Sequence, residues 1–169
     1  METIIEILTP EKWQVLKDLW LRALAEDPTP FGSSYEEESV LSDDEWKKKF
    51  DASDKYVARV GDAYVGLVGV TYNKKVRQEH SVDINGFYVL PEFQGKGIGR
   101  KLLERVIADM HAKPGIIRLR IFVDVERKNA IKLYSDLGFV ETGISPKAIF
   151  DGTVYHDHAQ MVHLFEDKL

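Results

Sequence analysis

Hydrophobic residues follow two different periods in the middle of the chain. Residues 82–90 (VDINGFYVL) are rich in β-branched and aromatic side chains, which favours a strand. Pro91 ends this strand, because proline has no N–H to give to a sheet. A helical stripe begins at Ile98 and continues through Leu102, Leu103, Val106, Ile107 and Met110. The central pattern therefore predicts a strand, a turn with glycine at positions 95, 97 and 99, and then a helix.

Patterns on both sides of this unit predict the remaining elements. Helices are expected after Thr9-Pro10, after the capping box that starts at Ser42, and over residues 128–137. Strands are expected at residues 3–8, 56–60, 64–72, 116–125 and 154–165. The segment 25–38 is expected to be a loop with a helix starting near Glu36. At 169 residues the chain is long enough for one core, so a single domain over residues 1–169 is predicted.

Composition excludes several classes of function. The chain contains no cysteine, which excludes disulfides, thiolate metal sites and an acyl-cysteine intermediate. Its formal net charge is −5 with no dense basic stripe, so no nucleic-acid partner is expected. No apolar run approaches the ~20 residues of a membrane span and no signal peptide is apparent, so no membrane partner and a cytoplasmic location are predicted.

The glycine-rich turn has the chemistry of an anion site. A helix N-terminus presents unpaired N–H groups and a partial positive charge, and glycines let the backbone approach a phosphate closely. A Walker A loop would need Lys-Ser or Lys-Thr after the glycines, and a dinucleotide fingerprint would need G-x-G-x-x-G. The spacing here is G-x-G-x-G, which argues against a nucleotide-binding regulator.

Two segments resemble signatures of the GNAT N-acetyltransferase superfamily. Residues 94–99 (QGKGIG) resemble its Q/R-x-x-G-x-G/A motif, and residues 130–139 (AIKLYSDLGF) resemble its A-I-x-L-Y-x-x-x-G-F motif. The resemblance implies an α/β (α+β) fold with a mixed, mostly antiparallel twisted sheet flanked by helices on both faces. It also implies acetyl-CoA as co-substrate and no metal.

The resemblance further implies which residues contact acetyl-CoA. The strand and the turn supply most of them: Phe87, Tyr88, Val89, Gln94, Gly95, Lys96, Gly97, Ile98, Gly99 and Arg100. The family usually has an asparagine three residues before the alanine of its second motif, and this chain has Arg127 there. Asn129 is the candidate replacement, and Arg127 is a candidate contact of a CoA phosphate.

Catalytic and acceptor residues are implied in the same way. Tyr134 matches the family's general acid, which would protonate the departing CoA thiolate. Asp83 is the favoured general base, with Glu92 and His80 as alternatives near the same strand. Phe31, Ser34 and Tyr35 lie in a loop similar to the segment where family members admit the acceptor.

The expected function is transfer of acetyl from acetyl-CoA to a primary amine, of a small molecule or a peptide, by direct attack in a ternary complex. The alternative is a catalytically weak acyl-CoA sensor, suggested by Arg127 at the asparagine position. His156 and His158 should share one face of a strand, but the sequence supplies no third ligand for a metal. Pairing through the C-terminal strand is a route to a homodimer.

Overall fold

The computed structural model describes residues 2–28 and 31–169, and its centre is a seven-stranded sheet. The strands lie in the order β1-β2-β3-β4-β5-β7-β6, and every neighbouring pair is antiparallel except β4 and β5. Their bounds are β1 Thr3–Ile7, β2 Asp54–Val60, β3 Ala63–Tyr72, β4 Ser81–Val89, β5 Arg118–Asp124, β6 Val140–Phe150 and β7 Tyr155–Leu164. The helices are α1 Trp13–Glu26, α2 Tyr35–Ser39, α3 Asp43–Asp51, α4 Ile98–Ala112 and α5 Lys128–Asp136.

Helices cover both faces of the sheet. Consecutive residues of β3, from Val65 to Val70, are all buried, which requires packing on both sides of the strand. At two glycines of the sheet, a helix side chain packs directly against the strand backbone. A Cβ added at Gly66 would lie 3.1 Å from Leu102 of α4, and one at Gly86 would lie 2.3 Å from the Trp20 ring of α1. The mixed, mostly antiparallel sheet predicted from the sequence is therefore confirmed.

The two central strands separate part of the way along the sheet. The parallel pairing of β4 with β5 runs from Ser81 opposite Arg118 to Ile84 opposite Ile121, and it stops there. At the same level the pairing of β3 with β4 shifts by one residue, and Gly86 has a φ of +58°. A glycine suits this bulge, because other residues rarely adopt a positive φ. The bulge at Gly86 lies where the strands separate, and the separation opens a gap in the middle of the sheet.

The predicted elements match the structure with one omission. The hairpin around Gly61, the central strand, the long helix and the capping box at Ser42 are all confirmed. The omission is β6, which was not predicted because it contains Gly143 and Pro146, two residue types that strands disfavour. The predicted loop holds α2 at its end, and its residues Thr29 and Pro30 lie outside the described residues.

Within residues 2–28 and 31–169, no helix is long and apolar enough to cross a bilayer.

Candidate active site

The turn between β4 and α4 forms an open cradle of backbone groups. Gly95 and Gly97 have φ values of +71° and +77°, and a Cβ added at either would meet nothing within 4 Å. Helix α4 begins directly after Gly97, so its unpaired N–H groups face the cradle. Gln94 fixes the turn against the strand, since its Nε2 donates to the carbonyl of Val89 at 2.8 Å. The cradle therefore has the shape and the polarity that a pyrophosphate requires.

A cleft of about 750 Å³ runs from this cradle to the gap between β4 and β5. It is lined by ten of the eleven residues that the resemblance implies for acetyl-CoA: Phe87, Tyr88, Val89, Gln94, Gly95, Gly97, Ile98, Gly99, Arg100 and Asn129. Lys96 is the exception. Its ammonium group instead donates to the carbonyl of Glu92 at 2.8 Å and lies over the ring of Phe93.

A second, smaller cavity of about 230 Å³ lies on the other side of the gap. Its wall is mainly apolar, with Phe31, Ile84, Phe122 and Ile149 among its residues, and its polar members are Asn85, Asp124, Arg127, Tyr134 and His158. The two cavities share Phe87, Arg127 and Ala130. A group bound in one can therefore reach a group bound in the other at this junction.

Tyr134 lies in the wall of the smaller cavity, on helix α5. Its side chain is only 4% exposed, and its ring packs against Phe87 and Phe139 with centroids about 6 Å apart. Burial raises the pKa of its hydroxyl well above the ordinary value of 10.0. The hydroxyl is therefore protonated at neutral pH, as a proton donor must be.

Asp83 is placed differently from the prediction. Both of its carboxylate oxygens accept hydrogen bonds from Arg120 at 2.8 Å, and it lines neither cavity. The geometry thus places Asp83 in a bidentate ion pair away from both cavities and gives no support to its predicted role as general base. The alternatives Glu92 and His80 also lie outside both walls, and Glu92 is bound by Arg22.

Of the three loop residues predicted to meet the acceptor, only Phe31 lines the smaller cavity. Ser34 caps α2 instead: its hydroxyl accepts from the backbone N–H of Glu37 at 3.2 Å. Tyr35 is 43% exposed and lines neither cavity. Ser34 is thus a helix cap and Tyr35 lies at the surface, so neither position supports the predicted acceptor role.

Arg127 and Asp27 form an ion pair that the sequence did not reveal. Arg127 Nη1 lies 2.6 Å from Asp27 Oδ2, and Nη2 contacts the other carboxylate oxygen. The pair joins the end of α1 to the start of α5, and both residues line the larger cleft. Arg127 therefore forms part of the junction between the cavities with its guanidinium bound to a carboxylate.

His156 and His158 of β7 share one face of the strand, as predicted, but they differ in their partners. His156 Nδ1 lies 2.8 Å from Asp124 and Nε2 lies 2.7 Å from Asp151. The hydrogen bond to Asp151, helped by the one to Asp124, raises the pKa of His156. His158 is 5% exposed and its Nε2 has no hydrogen-bond partner among the described residues, while burial lowers its pKa. Within those residues no group of three ligands suits a metal.

Two curated relatives resemble part of this chain. An uncharacterized N-acetyltransferase, MJ1207, of Methanocaldococcus jannaschii is 33% identical over 98 residues, which cover 57% of this chain and 43% of that protein. A spermidine N(1)-acetyltransferase of Vibrio cholerae is 29% identical over 102 residues, which cover 60% of this chain and 59% of that protein. The chain thus spans about half the length of these relatives.

Solved structures resemble nearly the whole fold. The structure of yncA from Salmonella typhimurium, solved with its cofactor acetyl-CoA, matches with a TM-score of 0.83 at 19% identity and covers 98% of this chain and 95% of that one. The model of the acetyltransferase (GNAT) family matches residues 17–139, well over half of the sequence. The protein therefore belongs to the acetyltransferase (GNAT) family.

Proposed function

We propose that this protein is an N-acetyltransferase that moves the acetyl group of acetyl-CoA to a primary amine by direct attack in a ternary complex. The observation that carries the proposal is the pair of cavities that meet at Phe87, Arg127 and Ala130. A larger cleft with a phosphate cradle suits the cofactor, and a smaller cavity beyond the gap suits the acceptor. Attack without an acyl-enzyme agrees with a chain that has no cysteine.

Acetyl-CoA fits the larger cleft by its chemistry. Its pyrophosphate would lie on the N–H groups at Gly95–Gly99, where the start of α4 favours negative charge. Its pantetheine arm would run beside β4 beyond Ile84, where the strand is no longer paired with β5. This orientation brings the thioester to the junction of the two cavities.

Tyr134 is proposed to supply the proton that the leaving group needs. When the amine nitrogen bonds to the acetyl carbon, the C–S bond breaks and the sulfur leaves with the electron pair. A protonated phenol in the cavity wall can donate its O–H to that sulfur and then recover a proton from the new amide nitrogen. The position of Tyr134 in the wall of the smaller cavity, beside Phe87, supports this role.

The size and wall of the smaller cavity favour a compact acceptor. A space of about 230 Å³ holds a small molecule, and the side chains of Phe31, Ile84 and Ile149 suit an apolar body next to the amine. The related Vibrio cholerae enzyme is named for spermidine, which is a longer polycation. We therefore propose a small amine with an apolar body as the acceptor.

Thiol release from acetyl-CoA tests the proposal. We would measure it with phenethylamine, L-phenylalanine, spermidine and an alanine-initiated peptide, with CoA binding by calorimetry alongside. Release that depends on phenethylamine or L-phenylalanine is expected. The absence of CoA binding would overturn the proposal, and tight binding without release from any amine would favour the acyl-CoA sensor instead.

A further inference from the structure

The smaller cavity contains one polar side chain whose function the fold does not explain. Nε2 of His158 is buried and has no hydrogen-bond partner among the described residues, although buried polar atoms are almost always paired. Leaving such an atom unpaired destabilises the fold unless something else binds it. Because His158 lines the proposed acceptor cavity, the missing partner can be a bound molecule.

We propose that His158 is the general base of the reaction and that its Nε2 receives a proton from the acceptor's ammonium group. The inference rests on the proposed function, because it needs an amine in this cavity. It gives the base a place on β7, across the gap from the strand that holds Asp83.

The position of His158 in the sheet supports the assignment. Its backbone lies opposite Asp124 of β5 and Ser145 of β6, so its ring is on the gap side of the sheet with the Asp124 side chain. Tyr134 and Phe87 belong to the same cavity wall. An amine between His158 and the junction would therefore be next to the base and next to the thioester.

The charged groups around His158 favour a neutral ring that can accept a proton. Burial is the main cause of the lowered pKa of His158, and the charges of His156 and Arg127 act in the same direction. Asp124 alone attracts a proton to the ring, and its effect is smaller than that of burial. Asp124 is itself engaged, because it accepts from His156 and from the N–H of Glu126 at 2.8 Å. His158 is therefore free of the carboxylate bonds that hold His156.

The proton balance of the step is complete. Nε2 accepts one proton from the ammonium group, which leaves a lone pair on the amine nitrogen. That lone pair forms the C–N bond while the C–S bond breaks. The second proton of the amine passes to the sulfur by way of Tyr134, and the imidazolium of His158 releases its proton to water. The products are the amide, CoA with a free thiol, and one proton.

The pH dependence of kcat/KM tests the proposal on the unmodified protein. An amine that must bind already deprotonated gives a rate that rises tenfold per pH unit toward its own pKa of about 10. With His158 as the base, kcat/KM for phenethylamine should instead reach a plateau by about pH 7, above an acid limb whose apparent pKa is under 6.5. A continuous rise to pH 9 would overturn the assignment.

A pair of histidine variants provides the control. His158→Gln should lower kcat/KM at pH 7 by about 100-fold or more and remove the plateau, with CoA affinity unchanged. His163→Gln alters another partly buried histidine, whose Nδ1 contacts the carbonyl of Leu137 outside both cavities, and should keep the rate within about threefold. Retention of the plateau in His158→Gln would contradict the proposal. Loss of CoA binding, or CoA binding without release in the wild type, would instead overturn the proposed function itself.

Discussion

Asp83 and Arg120 lie directly opposite each other on the one parallel strand pair, with both guanidinium bonds at 2.8 Å. The pair lies at the end of the gap where β4 and β5 are still paired, one residue before the last paired position at Ile84 and Ile121. It holds β4 and β5 together at the point where they begin to separate. The carboxylate therefore contributes to the shape of the site without lining it.

This relationship predicts a structural phenotype for Asp83→Asn. The variant should lose about 1 kcal/mol of unfolding free energy, because a bidentate pair on partly buried strands is weakened, while kcat/KM stays within about threefold. Urea unfolding and thiol release measure the two quantities. Arg120→Gln is the matched control, because the two changes should be non-additive in stability. A 100-fold loss of activity in Asp83→Asn would restore Asp83 as the base.

Gly97→Ala should weaken CoA binding. The alanine would have to adopt a φ near +77° at the residue before α4, at a cost of about 1 kcal/mol, and its methyl group would occupy the open cradle. We expect the dissociation constant measured by calorimetry to rise about tenfold.

A second glycine controls for the strain in that experiment. Gly61 has a φ of +58°, also with nothing near an added Cβ, but it lies in the turn between β2 and β3. Gly61→Ala should lower stability to a similar extent and leave CoA affinity unchanged. Equal affinities for the two variants would mean that the turn at Gly97 does not hold the cofactor.

Tyr134→Phe should separate catalysis from binding. The phenylalanine ring keeps the packing against Phe87 and Phe139, so CoA affinity should hold, whereas loss of the hydroxyl should lower kcat by about 100-fold. Stopped-flow thiol release and calorimetry measure these effects. Tyr56→Phe is the control: it removes the hydroxyl of another buried tyrosine, which donates to Asp109 outside both cavities. An unchanged kcat in Tyr134→Phe would leave the general acid unassigned.

Asp151→Asn should lower the pKa of His156 toward its ordinary value of 6.5. The bond to Asp151 is the main cause of the raised pKa of His156, and the same bond holds the pKa of Asp151 down at about 2. A histidine with a raised pKa stabilises the fold below pH 6.5, and this contribution is lost as pH rises through the folded-state pKa. The variant should therefore lose stability at pH 6 more than at pH 9.

Histidine NMR titration measures this pKa directly. Asp167→Asn is the control, because Asp167 contacts His111 and is not bonded to His156 or His158. It should leave the His156 titration unchanged. An unaltered titration in Asp151→Asn would mean that Asp124 alone sets the charge of His156.

The exposed edge of the sheet predicts self-association. Strand β6 (Val140–Phe150) lies at one edge of the sheet. Its residues Val140 and Ile144 are 66% and 54% exposed. An exposed apolar edge strand pairs readily with another chain, so we propose a dimer through β6. Light scattering should give a dimer mass for the wild type and a monomer mass for Ile144→Lys. A control at Val76, which is exposed elsewhere, should remain dimeric; a monomeric wild type would contradict the proposal.

The sequence predicted the cofactor side of the site far better than the acceptor side. Apart from Asn129, the residues predicted to contact acetyl-CoA lie in one continuous segment, from Phe87 to Arg100, whose strand, turn and helix each carry a local signal. The smaller cavity is assembled from loops, four strands and one helix that are distant in sequence. Which residues line it depends on register, and the position of His158 opposite Asp124 cannot be derived from residue spacing.

In two cases a local sequence signal did not reveal the contacts that a side chain makes in the structure. Ser34 lies three residues before Glu37, which is the spacing of a capping box, and it also lies in the loop that resembles the family's acceptor segment. In the structure its hydroxyl caps α2. Asp83 has a spacing that the family resemblance favours, but the spacing does not reveal that Arg120 of the neighbouring strand faces it. In each case the side chain is bound by a neighbour in space, Glu37 for Ser34 and Arg120 for Asp83.

The wall shared by the two cavities limits how this protein can be redesigned. A substitution at Phe87, Arg127 or Ala130 would alter the surroundings of the thioester and of the acceptor together, so a change of acceptor made there would also change the use of acetyl-CoA. Phe31 and Ile149 line the acceptor cavity alone. A mutant library designed to make this protein accept a different amine should vary those two positions first and keep the three shared residues constant.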